Sequence, residues 1–141
     1  MSRTVIVTAE GSGLEQNITI GPHQLRADEP IGFGGTDAGP DPYELLLASL
    51  GACTGITVRM YAERKKWPLE GVQVRLAHSK IHAEDCANCE SEPRSLDRIE
   101  RKISFTGKLS TEQLQRLREI ADRCPVHRTL SSKVQIDTSV V

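Results

Sequence analysis

Fourteen consecutive residues, Leu45 to Val58 (LLLASLGACTGITV), carry no charge and are apolar nearly all round at helical spacing. The flanks mark the run as a helix. Asp41 suits an N-cap, Pro42 suits the first helical position, and Glu44 stands where a capping box wants a carboxylate. The far end turns polar in Ala62-Glu63-Arg64-Lys65-Lys66, with cations where the macrodipole favours them, and Pro68 stops it. A helix without a polar face must be covered on every side. The 141 residues of this chain can hardly supply that cover alone, whereas a second subunit would.

Short strands surround this helix in the sequence. Thr4 to Thr8, Glu15 to Ile20 and His23 to Ala27 read as a meander, separated by turn signals at Glu10-Gly11-Ser12-Gly13 and Gly21-Pro22. Ile31 to Pro42, rich in Gly, Pro and Asp, reads as a loop. After the helix, Val72, Val74 and Leu76 alternate with Gln73 and Arg75 in a half-buried strand running towards Ile81. Ile99, Ile103 and Phe105 mark another strand. Ser110 with Gln113 is a second capping-box signature, opening a helix with Leu114, Leu117, Ile120, Ala121 and Cys124 on one stripe. Val134, Ile136, Thr138 and Val140 alternate as a last strand. The order predicts a single α+β domain over 1–141, with antiparallel pairing and helices on one face of the sheet.

Composition narrows the function. Hydrophobic residues at 38% and charged residues at 26% fit an ordinary globular chain, and a net charge of −1 gives no footprint for nucleic acid or an anionic membrane. The N-terminal apolar run is too short for a secretory leader, and no stretch approaches the ~18 apolar residues of a membrane span. These features read as a cytoplasmic protein. In that reducing compartment four cysteines point to metal binding or catalysis rather than to a disulfide framework.

Cys53 lies in the middle of the apolar helix, where a free cysteine is ordinarily a small buried hydrophobe. Cys124 ends the second helix and directly precedes Pro125, which can start a new helix over Val126 to Ser132. Cys124 would cap that helix, where unpaired N–H groups and the nearby His127 and Arg128 favour a thiolate. It also completes the Leu117 stripe, so structural and chemical readings both stand. Cys86 and Cys89 form one CxxC in a polar loop, and with His82 they are candidate zinc ligands. His78 cannot join His82 on one metal from a regular strand, because four residues span ~13 Å. A polar loop with two exposed thiols accounts for the same spacing.

Two segments then bring a family into view. Gly39 to Thr54 (GPDPYELLLASLGACT) resembles the core motif of the OsmC/Ohr family, the osmotically inducible and organic hydroperoxide resistance proteins, and Cys124-Pro125-Val126-His127 resembles its second cysteine motif. The resemblance implies an OsmC-like fold, with antiparallel sheets wrapped around a long buried central helix in an intertwined homodimer. It implies a two-cysteine peroxidase that reduces organic hydroperoxides, regenerated by a dithiol reductant and needing no cofactor. Cys53 becomes the peroxidatic thiol and Cys124 the resolving one, although cap chemistry alone favours Cys124 as the more acidic.

The family site also holds a Glu and an Arg. The family's Glu falls ten residues before the first cysteine, where this chain has Tyr43, and Glu44 lies nine before. Nine helical residues put Glu44 ~13.5 Å along the axis and on the opposite side from Cys53, so it serves equally well as a helix cap. Arg26 on the third strand is the best positional arginine, with Arg59 and Arg128 as further candidates. A non-catalytic ligand-binding or redox-sensing module on the same fold, zinc-stabilised through Cys86 and Cys89, is the alternative reading.

Overall fold

The computed structural model describes residues 3–82 and 95–141. The chain divides into two compact units, residues 1–46 and 47–141. Cys86 and Cys89, and the side chain of His82, lie outside the described residues.

The first unit opens on an antiparallel meander of β1 (Val5–Thr8), β2 (Gln16–Ile20) and β3 (His23–Ala27), in the order β1-β2-β3. Ile20 pairs with His23, so Gly21-Pro22 is a two-residue hairpin turn, with Gly21 in the left-handed region at φ 57°. The Gly- and Pro-rich loop that follows is organised by one carboxylate. Asp28, 3% exposed, accepts hydrogen bonds from the N–H groups of Glu29 (2.8 Å), Thr36 (3.1 Å) and Ala38 (3.1 Å) and from the Thr36 hydroxyl (2.8 Å). Asp28 N–H closes the loop on the Pro40 carbonyl at 3.1 Å. Gly39 is required where the chain passes the Arg26 carbonyl, because a Cβ there would overlap it.

The hydrogen bonds from Ala38, Thr36 and Glu29 hold the Asp28 carboxyl at about 2, against a weak opposing push from burial. A carboxyl whose folded pKa lies below its unfolded value contributes stability that is complete above about pH 4 and lost as pH falls towards 2. Asp28→Asn should therefore be less stable than the parent at pH 7, and the gap in urea midpoint should narrow between pH 4 and 2. Asp97 and Glu119 are also held low, by His78 and Arg116 respectively, so the difference between the two proteins, rather than either curve, isolates Asp28.

α1 runs from Pro42 to Lys65. At its start Asp41 N–H donates to Glu44 Oε1 (3.1 Å) and Glu44 N–H to Asp41 Oδ1 (2.8 Å), the reciprocal bonds of a capping box. By length and composition α1 also qualifies as a membrane-crossing helix, which corrects the expectation that no stretch comes near that length. A core helix passes the same test, and here Leu50, Thr54, Val58, Tyr61 and Ala62 form a buried stripe.

In the second unit β4 (Leu69–His82) and β5 (Ser95–Gly107) pair antiparallel along their length, with Val72 opposite Phe105, Val74 opposite Ile103 and Leu76 opposite Arg101. Val72, Val74, Leu76 and His78 are half-buried while Gln73, Arg75 and Ala77 are exposed, the period of two expected of a sheet with one covered face. α2 (Thr111–Ala121) has Ser110 as N-cap, its hydroxyl accepting from Gln113 N–H at 3.1 Å and the Gln113 side chain returning the bond at 2.9 Å. Ser110→Ala should cost about 1 kcal/mol in urea unfolding. The core joins Val58, Tyr61 and Ala62 of α1 to Leu117, Ile120 and Ala121 of α2, with Trp67, Val72, Ile103 and Phe105 packed against them. Tyr61 meets Trp67 edge to face at 5.5 Å, and its hydroxyl accepts from Arg116 Nε at 3.1 Å. α3 (Pro125–Leu130) follows.

One expectation holds and one is corrected. Within one chain α1 is not covered all round, since Ala52, Ile56 and Met60 on the face away from the stripe are exposed. The C-terminal residues form no strand. Val134, Ile136 and Val140 are exposed, and no strand among the described residues pairs with them. Alternation selects a face, but a strand forms only where a neighbour satisfies its ladder.

Candidate active site

Cys53 and Cys124 meet inside the second unit. Cys53 is half-buried at the middle of α1, and Cys124 is fully buried; both are free thiols. Cys124 is held by the break between α2 and α3. The chain leaves α2 after Ala121, Cys124 takes an extended conformation (φ −59°, ψ 134°), and Pro125 begins α3 at the position where its missing N–H costs nothing. The Cys124 sulfur caps α3 by accepting from His127 N–H at 3.3 Å. This is the cap expected from the sequence.

The two thiols are hydrogen-bonded to each other. Burial pushes the Cys53 thiol up; the Val126 N–H and Thr57 hydroxyl oppose this, and the neighbouring Cys124 adds to it. Burial also works against the Cys124 thiolate, but hydrogen bonds from Cys53, from His127 N–H, from the Thr54 hydroxyl and from Val126 N–H outweigh it, so the thiol sits below its ordinary value. When the pair loses its first proton, these contacts favour Cys124 as the sulfur that carries the charge. The more acidic sulfur is the inaccessible one, and the accessible sulfur keeps the proton.

An arginine that sequence reasoning missed stands behind this pair. Arg101 of β5 has a side chain only 11% exposed. Its Nη1 donates to Thr54 Oγ1 (3.0 Å) and to the Ala121 carbonyl (3.4 Å), and its Nη2 to Asp122 Oδ1 (2.7 Å). The signal was present in the register. Ile99, Arg101, Ile103 and Phe105 fall two apart, which puts the arginine on the covered face among apolar neighbours. Thr54, fully buried, donates in turn to the Leu50 carbonyl at 2.7 Å. A cavity of about 400 Å³, which neither cysteine lines, is bounded by Leu50 of α1, Asp97, Ile99 and Arg101 of β5, and His127, Leu130 and Ser131 around α3.

The other expected residues have partners of their own or are exposed. Arg26 and Glu44 belong to the first unit, where Arg26 pairs with Glu15 at 2.9 Å and Glu44 closes the helix cap. Arg59 donates to the Glu70 carbonyl at 3.2 Å, and Arg128 is exposed on α3. Tyr43 is half exposed at the start of α1. Among the described residues no three His, Cys, Asp or Glu side chains converge as metal ligands, and the Cys86, Cys89 and His82 set lies outside them.

Fold and site together define an α+β protein built around a reduced cysteine pair. The OsmC-like protein family model matches residues 34–139, three-quarters of the sequence, and the chain belongs to that family. Its fold is that of an OsmC-like protein from Mycoplasma pneumoniae (TM-score 0.73, 20% identity, covering 93% of this chain and 88% of that one). An organic hydroperoxide resistance protein OsmC from Legionella pneumophila is similar at a TM-score of 0.63 (22% identity, 90% and 88% covered), as is an organic hydroperoxide resistance protein from Elizabethkingia anophelis at 0.65 (20% identity, 92% and 89%). No curated protein shows significant sequence similarity to the chain.

Proposed function

We propose that this protein is a two-cysteine peroxidase that reduces organic hydroperoxides in defence against oxidative stress, acting in the cytoplasm as a homodimer. The hydrogen bond between the half-buried Cys53 and the buried Cys124 carries the reading. Relatives of the same fold that are organic hydroperoxide resistance proteins support the substrate class. The exposed Ala52, Ile56 and Met60 on an otherwise apolar helix support a second subunit.

In the first step the Cys53 proton passes to Cys124, and the Cys53 sulfur attacks the terminal peroxide oxygen. An S–O bond forms, the O–O bond breaks, and the alkoxide leaves as an alcohol after taking the proton back from Cys124. The products are a Cys53 sulfenic acid and a Cys124 thiolate. That thiolate attacks the Cys53 sulfur, forming the disulfide and expelling hydroxide. A dithiol reductant restores both thiols by exchange. The cavity beside α3 offers the organic part of the peroxide an apolar wall in Leu50, Ile99 and Leu130.

The test is hydroperoxide consumption by the purified protein with dithiothreitol as reductant, against inorganic hydrogen peroxide in parallel. Faster turnover of the organic peroxide supports the reading, and no consumption of either removes it.

A further inference from the structure

We propose that Arg101 is a positioning residue for the cysteine pair, acting through Thr54: by donating to Thr54 Oγ1 it turns that hydroxyl's proton towards Cys124. The inference rests on the cysteine-pair reading only in taking Cys124 as the sulfur that must be a thiolate.

A threonine hydroxyl has one proton to give and two lone pairs, whereas a guanidinium can only donate. With Arg101 Nη1 at 3.0 Å on the oxygen, one lone pair is engaged and the hydroxyl proton must point away from the guanidinium. Two acceptors lie in reach, the Leu50 carbonyl at 2.7 Å and the Cys124 sulfur. The carbonyl is neutral. Once Cys124 is ionised, the thiolate is the stronger acceptor, and the Thr54 proton swings to it. Arg101 therefore delivers positive polarisation to a sulfur it does not touch.

The same guanidinium fixes where that sulfur stands. Its bonds to the Ala121 carbonyl and Asp122 grip the end of α2, three and two residues before Cys124. Only the planar fork of an arginine serves Thr54 on α1 and Asp122 beyond α2 from one strand. The groups facing Cys124 are the Cys53 thiol from α1, Arg101 of β5 by way of the Thr54 hydroxyl, and the backbone N–H groups of Val126 and His127 from α3; Asp122 offsets Arg101 and also meets Arg118 at 3.9 Å.

The experiment follows ultraviolet thiolate absorbance against pH in reduced protein, with Cys86 and Cys89 changed to serine so that only the site titrates. Thr54→Val should raise the first thiol titration by about one pKa unit, a tenfold loss of thiolate near neutrality. Thr54→Ser, which keeps the hydroxyl, should restore the parental curve. Asp122→Asn, which unmasks Arg101, should move the titration down in the parent and leave it unmoved in the Thr54→Val background. A merely structural role would not produce a downward shift that depends on a hydroxyl. A parental curve in Thr54→Val, or an upward shift in Asp122→Asn, overturns the proposal. No peroxide is present in this measurement, so a protein that titrates as described yet consumes no hydroperoxide sinks the peroxidase reading alone.

Discussion

Replacing Cys124 by serine should leave a protein that consumes about two equivalents of organic hydroperoxide, one for each oxygen added to Cys53, and stops, while replacing Cys53 should lower the initial rate roughly 10³-fold or more. The asymmetry follows from the geometry. Serine is a favourable N-cap, so Cys124→Ser keeps α3 capped through its hydroxyl and disturbs the fold little. What it removes is the sulfur that closes the disulfide. The Cys53 sulfenic acid then has no second thiol in hydrogen-bond reach among the described residues and climbs the oxidation ladder under excess peroxide. Intact-mass measurement after peroxide treatment, with Cys86 and Cys89 changed to serine, should show Cys124→Ser gaining two oxygens and the parent losing two hydrogens. A Cys124→Ser protein that turned over many equivalents with dithiothreitol would show that resolution does not need Cys124. Unchanged turnover in Cys53→Ser would move the nucleophile elsewhere.

The largest expected loss of stability comes from a residue without a side chain. Gly107 ends β5 opposite Leu69, at φ 133°, where the chain turns towards α2. A Cβ there would overlap the Pro68 carbonyl and crowd Glu70 N at 3.1 Å. Backbone, unlike a side-chain tip, cannot swing aside. Gly107→Ala thus adds a steric clash to a conformation that L-residues avoid, and should cost on the order of 3–4 kcal/mol. The check is urea unfolding: the midpoint should drop with the slope preserved. An alanine variant within about 0.5 kcal/mol of the parent would mean that β4 and β5 repack easily at this end.

Local chemistry made much of this fold legible. Capping boxes announce themselves because cap and partner sit three residues apart, as Asp41 with Glu44 and Ser110 with Gln113 do. Cys124-Pro125 was readable for the same reason, since Pro125 cannot continue one helix and suits the start of another. The meander followed from β-branched runs and Gly21-Pro22. What failed depended on partners that local spacing does not name. Val134 to Val140 alternate correctly but find no strand to pair with among the described residues. Asp28 was overlooked because nothing in a Gly- and Pro-rich stretch says which carboxylate gathers its N–H groups. Arg101 escapes a reading that marks its strand by Ile99, Ile103 and Phe105 alone. The alternation of Ile99, Ile103 and Phe105 already placed it inward, and Asp122, distant in sequence, makes that placement tolerable.

Trp67 is the only tryptophan in the sequence, and it lies against Tyr61 in the second unit. Its fluorescence therefore reports from the unit that houses the cysteine pair, whereas the meander carries no tryptophan. Circular dichroism sees both. Superimposable denaturation curves from the two signals would mean that the halves melt as one cooperative body, whereas an earlier dichroism change would reveal the meander letting go first.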